Sequence, residues 1–144
     1  MDCERSSTSS LNNKGRSDTP LTVLNTNARS LVPKLVSFTD CFSETDARIA
    51  IVTETWLRDG SDLEKMAEDL SLGEGIGILT KNRDPNPNGV CYGGVAVLWK
   101  ESLCNFKSVT CRNVNNYEVL PCVGSIRGQA RKLVVVACLS LIHI

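Results

Sequence analysis

An apolar run that ends abruptly in a carboxylate narrows the possible folds of this chain more than any other segment. Residues 49–56 read Ile-Ala-Ile-Val-Thr-Glu-Thr-Trp, so a predicted buried strand stops at Glu54. Ligands of open α/β sheets gather beyond the carboxyl ends of the strands. A carboxylate there is well placed to bind a hard cation such as Mg²⁺. The alternative is that Glu54 is an ordinary solvated acid at the end of a strand.

A second segment upstream has the same form. Residues 21–24 predict a short strand, and Asn25 and Asn27 stand at its carboxyl end. An amphipathic helix is predicted over residues 33–45, because apolar residues recur there at i, i+3 and i+7 behind a proline. Strand, helix and strand in this order predict a parallel pair joined by a right-handed crossover. The predicted geometry brings Asn25, Asn27 and Glu54 to the same edge of one sheet.

The rest of the chain is divided by turn signals and apolar runs. Residues 1–20 are polar and rich in Ser and Asn, which predicts a disordered leader. A capping box at residues 61–64 predicts a short helix that ends near residue 70. The glycine cluster at residues 73–77 predicts a turn, because its spacing and context differ from those of a nucleotide-binding loop. Further strands are predicted at residues 76–80, 93–99, 117–126 and 133–139.

Composition describes one modest domain without a charge bias. The chain has 144 residues, of which 16 are basic and 16 acidic, so its formal net charge is zero. Nucleic-acid-binding domains usually carry a basic surplus, so DNA binding here would depend on a local patch. Seven cysteines without Cys-x-x-Cys spacing favour buried, reduced thiols in an intracellular protein, nuclear or cytoplasmic and not secreted. No apolar stretch approaches the roughly 20 residues of a membrane span.

Two motifs carry a resemblance to a known family. Residues 25–34 read Asn-Thr-Asn-Ala-Arg-Ser-Leu-Val-Pro-Lys, and residues 53–57 read Thr-Glu-Thr-Trp-Leu. In this order they resemble the opening of the exonuclease–endonuclease–phosphatase superfamily, and more narrowly the apurinic-type endonuclease domain of non-LTR, jockey-like retrotransposons. An Arg/Asp loop before a Gly-Gly-x-Ala strand, within residues 83–96, extends the resemblance. It spans residues 21–139, and residues 140–144 form a divergent tail.

The resemblance implies an α/β fold, part of a two-layer α/β sandwich with a mixed sheet, and an Mg²⁺-dependent endonuclease. Glu54 would be the main metal-binding carboxylate. Asn25 would orient a catalytic acid or a water network, and Asn27 would lie in the metal shell. The residues themselves leave an alternative open, in which both asparagines satisfy backbone groups at the strand-to-loop turn.

Basic residues near this edge are the predicted contacts with nucleic acid. Arg29 and Lys34 lie in the first motif, and Lys81 and Arg83 lie near the loop that precedes the glycine pair. All four are candidates for a phosphate backbone, with surface solvation as the alternative for each. The two tryptophans are predicted to pack against the core, because an aromatic residue directly after a strand more often covers the core than stacks on a base.

The residues that this superfamily uses later in its sequence are not found in the chain. The family pattern has a Tyr, an Asp-x-Asn pair and an Asp-His pair, whereas the only histidine here is His143, in the wrong element. Residues 134–139 match a strand that normally runs into the Tyr and a proline turn. We therefore expect half of a domain, in which the first sheet loses its second sheet and exposes an apolar face. We also expect little or no nuclease activity.

The resemblance implies a parent enzyme that nicks DNA to start target-primed reverse transcription. Its partners would be DNA and the reverse transcriptase region of the same polyprotein, with no membrane. One alternative is a phosphatase of the same fold, against which the two motifs argue. Another is a non-catalytic binding module or retroelement relic that uses the loop at residues 83–89. Loss of Mg²⁺ binding on Glu54→Ala would favour the enzyme lineage.

Overall fold

Strands make up most of the regular secondary structure in the described chain. The computed structural model describes residues 4–7, 20–58, 62, 75–112 and 115–140. The predicted mixed α/β class is confirmed, with strands in the majority. The elements with described bounds are β1 (Glu4–Ser7), β2 (Thr22–Asn27), a 3₁₀ helix (Val32–Lys34), α1 (Leu35–Glu44), β3 (Ile49–Thr53), β4 (Ile76–Lys81), β5 (Val95–Lys100), β6 (Cys104–Ser108), β7 (Tyr117–Ile126) and β8 (Lys132–Ser140).

The described strands form two sheets. The five-stranded sheet has the order β1-β2-β3-β5-β4, and the three-stranded sheet has the order β6-β7-β8. In the larger sheet β2 and β3 run parallel, and the other neighbouring pairs run antiparallel. The smaller sheet is an antiparallel meander. The predicted parallel pair and mixed sheet are therefore confirmed.

Helix α1 connects β2 to β3 and covers one face of the five-stranded sheet. Its buried residues Leu35, Phe38 and Phe42 form a single stripe, because positions three and four apart share a helix face. The Phe38 and Phe42 rings lie 6.0 Å apart. Pro33 stands in the preceding 3₁₀ helix, where a missing N–H costs no hydrogen bond. The predicted amphipathic helix is confirmed, and its apolar stripe packs on residues of β2, β3 and β5.

The two central strands, β3 and β5, are buried on both faces. Alternate side chains of a strand point to opposite faces of its sheet. Ala50, Val52, Ala96 and Leu98 belong to the core cluster on the α1 side. Ile49, Val95 and Val97 belong to a second cluster on the other side. Burial on both faces explains why these strands read as almost continuous apolar runs.

The three-stranded sheet covers the face of the five-stranded sheet that lies away from α1. Its buried inward side chains share a core cluster with β3 and β5, and they are Cys104, Phe106, Leu120, Cys122 and Ala137. Leu103, in the turn before β6, belongs to the same cluster. The expectation that this face is exposed is therefore wrong, because β6 to β8 lie within this chain and supply the cover. Trp99 packs edge-on against Phe106, with the ring centroids 5.3 Å apart. The predicted core position of Trp99 is confirmed.

Strand β6 was not predicted from the sequence. It has five residues, and only Cys104 and Phe106 turn inward. So short an alternation does not stand out from the turn before it. The strand is stabilised by pairing with β7, where Cys104 lies opposite Ile126 and Phe106 lies opposite Gly124.

Strand β1 corrects the prediction of a wholly disordered leader. Residues 4–7 pair antiparallel with β2, and Glu4 lies opposite Asn25. Strand addition needs only backbone N–H and C=O groups, so a polar segment can extend a sheet edge without apolar burial. Ser140 is the last residue of β8, so this strand extends one residue beyond its predicted end at Leu139. Leader residues 1–3 and 8–19, the helix predicted to end near residue 70 (except Asp62) and residues 141–144 lie outside the described residues.

Within the described residues, no helix is both long enough and apolar enough to cross a membrane. No disulfide bond joins any two of the six described cysteines. Cys91, Cys104 and Cys122 are buried, whereas Cys111 and Cys138 are exposed, so burial holds for only part of the set. Burial raises the pKa of the Cys122 thiol to about 11.

Candidate functional site

The loops after β2 and β3 meet at one edge of the five-stranded sheet. Backbone pairing of the two parallel strands continues past their ends, since Ser30 N donates to Glu54 O at 3.0 Å and Leu31 N donates to Thr55 O at 2.9 Å. Asn27 lies directly opposite Thr53 in the register. The backbone positions of Asn27 and Glu54 are therefore neighbours at this edge, as the strand-helix-strand order predicts.

Four residues of these two loops have left-handed backbone. The φ angles are 44° at Arg29, 78° at Ser30, 51° at Glu54 and 52° at Trp56. Non-glycine residues rarely adopt such angles, because Cβ crowds the neighbouring carbonyl oxygen. Strained residues of this kind persist where surrounding contacts hold them, and they cluster at functional sites. Their concentration at one sheet edge marks this edge as the candidate site.

Gly93 and Gly94 hold the loop after β3 in this conformation. Trp56 N donates to Gly93 O at 2.8 Å, and Thr55 N donates to Gly94 O at 3.3 Å. Both glycines have φ of 84°. A Cβ on Gly94 would lie 2.6 Å from Thr55 Oγ1, which is closer than side-chain carbons approach. The glycine pair is thus required both for its backbone angle and for the close approach of the Glu54 loop.

The side chain of Glu118, on β7, binds the backbone of the glycine pair. Its carboxylate is buried, forms an ion pair with Arg83 Nε, and accepts a 2.7 Å hydrogen bond from Gly94 N. Glu118 was not among the residues predicted from the sequence. A sequence pattern did indicate it, because Glu118 occupies an inward position in the alternation that continues with Leu120 and Cys122. A charged residue at an inward strand position is rare unless it is paired.

Asn25 and Asn27 line a cavity of about 840 Å³, called here the larger cavity. Both side chains are exposed and share one face of β2. The cavity is bounded on its other side by β8, through Val136 and Cys138. Asn27 Oδ1 accepts a 3.2 Å hydrogen bond from Arg29 N. Asn27 therefore does satisfy a backbone group at the turn, which was the alternative to a role in the metal shell.

Glu54 lines a different cavity of about 340 Å³, called here the aromatic cavity because Trp56 and Tyr92 form part of its wall. The two cavities share Leu139 and Ser140 and are therefore adjacent. The structure brings the predicted residues to one edge but divides their side chains between two neighbouring cavities. Trp56 is only partly buried, and its ring meets Tyr92 edge-on at 4.8 Å.

Three of the four basic residues predicted to contact nucleic acid bind other groups of the protein instead. Lys34 Nζ donates to Ala28 O and, at 3.0 Å, to Arg29 O. Arg83 pairs with Glu118, and Lys81 Nζ donates to Val119 O at 3.3 Å. The exposed Arg29 guanidinium has no ion pair or hydrogen bond with other described residues. Arg29 is therefore the basic group most available to a phosphate.

The residues present fit a cation held through one carboxylate and water. Mg²⁺ usually keeps several waters and binds through one or two carboxylates. Glu54 supplies one partly buried carboxylate, and the exposed amide of Asn27 lines the adjoining cavity. The described residues contain no cluster of three or more His, Cys, Asp or Glu side chains that could bind a metal ion together. Thr55 Oγ1, next to Glu54 in the chain, is buried without a hydrogen-bond partner.

The sheet edge as a whole offers a carboxylate, two amides and an available guanidinium around adjoining cavities. Such groups bind hydrated cations and phosphate oxygens. In comparisons with known proteins, no family model matches the chain and no curated protein matches it. The function is therefore inferred from the residues at this edge and from the two motifs that contain them.

Proposed function

We propose that this chain carries the metal-binding edge of an Mg²⁺-dependent phosphodiesterase of the exonuclease–endonuclease–phosphatase type, with DNA as its substrate. The observation that supports this proposal is that Glu54, Asn25 and Asn27 lie at one sheet edge, where Glu54 itself has left-handed backbone. On this proposal the two packed sheets are part of a two-layer α/β sandwich.

The narrower proposal is a retrotransposon endonuclease. It is supported by the motifs at residues 25–34 and 53–57, which include Arg29 and Glu54 at the candidate site. The activity would be DNA nicking for target-primed reverse transcription. The partners would be DNA and the reverse transcriptase region of the same polyprotein, in an intracellular setting.

The chemistry of the site follows from its groups. Mg²⁺, when bound, neutralises phosphate charge during phosphodiester hydrolysis. Glu54 would hold the ion directly, with Asn27 as a neighbouring oxygen donor. Asn25 would orient a water in the larger cavity, which it lines. Arg29 lines the same cavity and would hold a phosphate oxygen through a charge-assisted hydrogen bond.

The proposal includes low activity for this chain alone. The family pattern requires a general base and an orienting Asp-His pair, and the chain's single histidine, His143, is not in that element. Removing one member of a catalytic group typically lowers turnover by many thousand-fold. The larger cavity would then bind substrate phosphate without efficient cleavage.

Mg²⁺ titration by calorimetry tests the proposal. We expect wild-type protein to bind Mg²⁺ and Glu54→Gln to bind at least about tenfold more weakly, because the charged ligand is lost. Glu44→Gln is the matched control, since Glu44 is an exposed acid at the end of α1. Equal affinity in wild type and Glu54→Gln would contradict the proposed site. Plasmid nicking above background by wild-type protein would contradict the low activity.

A non-catalytic binding module is the second candidate. It is favoured by the internal engagement of Lys34 and Arg83, which leaves fewer cations for DNA than the motifs suggest. Such a module would use the loop that precedes Gly93 for a partner. A complete lack of Mg²⁺ binding in the same titration would favour this candidate over the endonuclease.

A further inference from the structure

The wall of the aromatic cavity is a supported aromatic surface. Tyr92 is 45% exposed, and its ring is held edge-on to Trp56 at 4.8 Å. The backbone beside Tyr92 is pinned as well, because Trp56 N donates to Gly93 O. An aromatic side chain that is both exposed and fixed in place provides a stacking platform for a flat ligand.

Polar groups that can read a flat ligand surround this platform. Asn86 Oδ1 accepts hydrogen bonds from Asn88 N at 2.9 Å and Val90 N at 3.0 Å, which fixes the amide and leaves its NH₂ as the donor. The exposed Asp84 carboxylate lines the same cavity as an acceptor. The cavity therefore combines stacking surface with a donor and an acceptor.

Charge decides which part of a nucleotide each cavity suits. Among the described residues, the larger cavity is lined by Arg29 and Lys34 and by no acidic side chain, so it suits a phosphate. The aromatic cavity is lined by Glu54 and Asp84, while the charge of Arg83 is neutralised by its pairing with Glu118. Mg²⁺ on Glu54, as proposed above, would balance these two carboxylates, so the aromatic cavity suits a neutral ring while the cationic larger cavity suits the phosphate. A volume of about 340 Å³ is large enough for one base.

We propose that the aromatic cavity binds one unpaired nucleobase of the DNA strand whose phosphate lies in the larger cavity. Tyr92 stacks on the base, and Asn86 and Asp84 hydrogen-bond to its edge. This inference rests on the proposed function, because it takes DNA as the ligand. It adds a preference for DNA with an unpaired base next to the bound phosphate.

Binding of labelled DNA by the full chain tests this proposal. The probes are a short duplex with one unpaired adenine and the same duplex fully paired, followed by fluorescence anisotropy in Mg²⁺ and in EDTA. Stacking of one base on an aromatic ring contributes about 1–3 kcal/mol. We therefore expect Tyr92→Leu to weaken binding of the unpaired-base duplex by roughly 5- to 150-fold. Tyr92→Phe is the matched control and should bind within about twofold of wild type.

The outcomes separate this inference from the proposed function. A loss confined to the unpaired-base duplex, present for Tyr92→Leu and absent for Tyr92→Phe, supports the base pocket. An equal loss on both duplexes, no loss at all, or no binding of either duplex by wild type overturns it. Mg²⁺ binding at Glu54 is measured in the separate titration, which contains no DNA. A failure of the proposed metal site can therefore be distinguished from a failure of the base pocket, which is measured by DNA binding in EDTA as well as in Mg²⁺.

Discussion

Glu118 supports the candidate site, although it does not line either cavity at that site. Its buried carboxylate joins Arg83 on one side to the Gly94 N–H on the other. Gly93 and Gly94 in turn hold the Glu54 loop by two backbone hydrogen bonds. A single side chain thus links β7 to the conformation of the proposed metal ligand.

Glu118→Ala should lower the free energy of unfolding by about 3 kcal/mol, because it leaves Arg83 and a buried N–H without a partner. Urea denaturation followed by circular dichroism measures this change. Arg58→Ala is the control, since Arg58 is 66% exposed in its pair with Asp62 and such pairs contribute about 1 kcal/mol or less. Equal effects of the two substitutions would show that the Glu118 pair is not structurally important.

Cys122 should make the free energy of unfolding fall as the pH becomes alkaline. Burial raises its pKa from 9.0 to about 11, so the native state keeps a proton that the unfolded state has already lost. Its contribution is complete below about pH 9 and is lost as the pH rises towards 11. Cys122→Ala should flatten the fall of the urea midpoint over this window, and the exposed Cys138→Ala should not. Parallel curves for both variants and wild type would refute this assignment.

At the scale of elements, the strand-helix-strand unit was predictable and the loop contacts were not. The stripe of Leu35, Phe38 and Phe42 predicts a helix on its own, because its spacing has meaning only on a helical face. The contact of Gly93 and Gly94 with the Glu54 loop joins segments almost 40 residues apart. No local pattern predicts that contact, and it sets the left-handed angles at the site.

Gly94→Ala should destabilise the protein more than Gly89→Ala. Both glycines have left-handed backbone, which costs alanine about 1 kcal/mol. Only at Gly94 does the new Cβ also meet Thr55 Oγ1, adding about 1–3 kcal/mol of overpacking, whereas Gly89 has open space. Thermal unfolding of the two variants measures the difference. Gly94→Ala should also weaken Mg²⁺ binding, and equal melting temperatures would contradict the proposed loop constraint.

At the scale of the whole molecule, apolar side chains are exposed along β8, at the free edge of the three-stranded sheet. Val134 and Val136 are 64% and 52% exposed on β8. β8 is also the last strand in its sheet, so one side of its backbone has no strand partner among the described residues. A long apolar edge strand promotes pairing with other chains. The apolar exposure expected for the five-stranded sheet is thus found on the smaller sheet.

Val134→Lys and Val136→Lys should reduce self-association while leaving the free energy of unfolding within about 0.5 kcal/mol of wild type. Charged residues on an edge strand oppose further strand pairing. Light scattering as a function of protein concentration measures the effect. Val36→Lys is the control, because Val36 is 76% exposed but lies on α1. If the Val36 variant lowers scattering as much as the β8 variants, net charge and not the strand edge is responsible.

The sequence alone determined the mixed α/β class, the parallel β2–β3 pair, the α1 stripe and the placement of Asn27 beside Glu54. These follow from local periodicity and from the handedness of one crossover. Only the tertiary structure decided that a second sheet covers the first, that Glu118 supports the site, and that Asn25 and Glu54 line separate cavities. Those features depend on contacts between distant segments, which side-chain packing selects and local patterns do not encode.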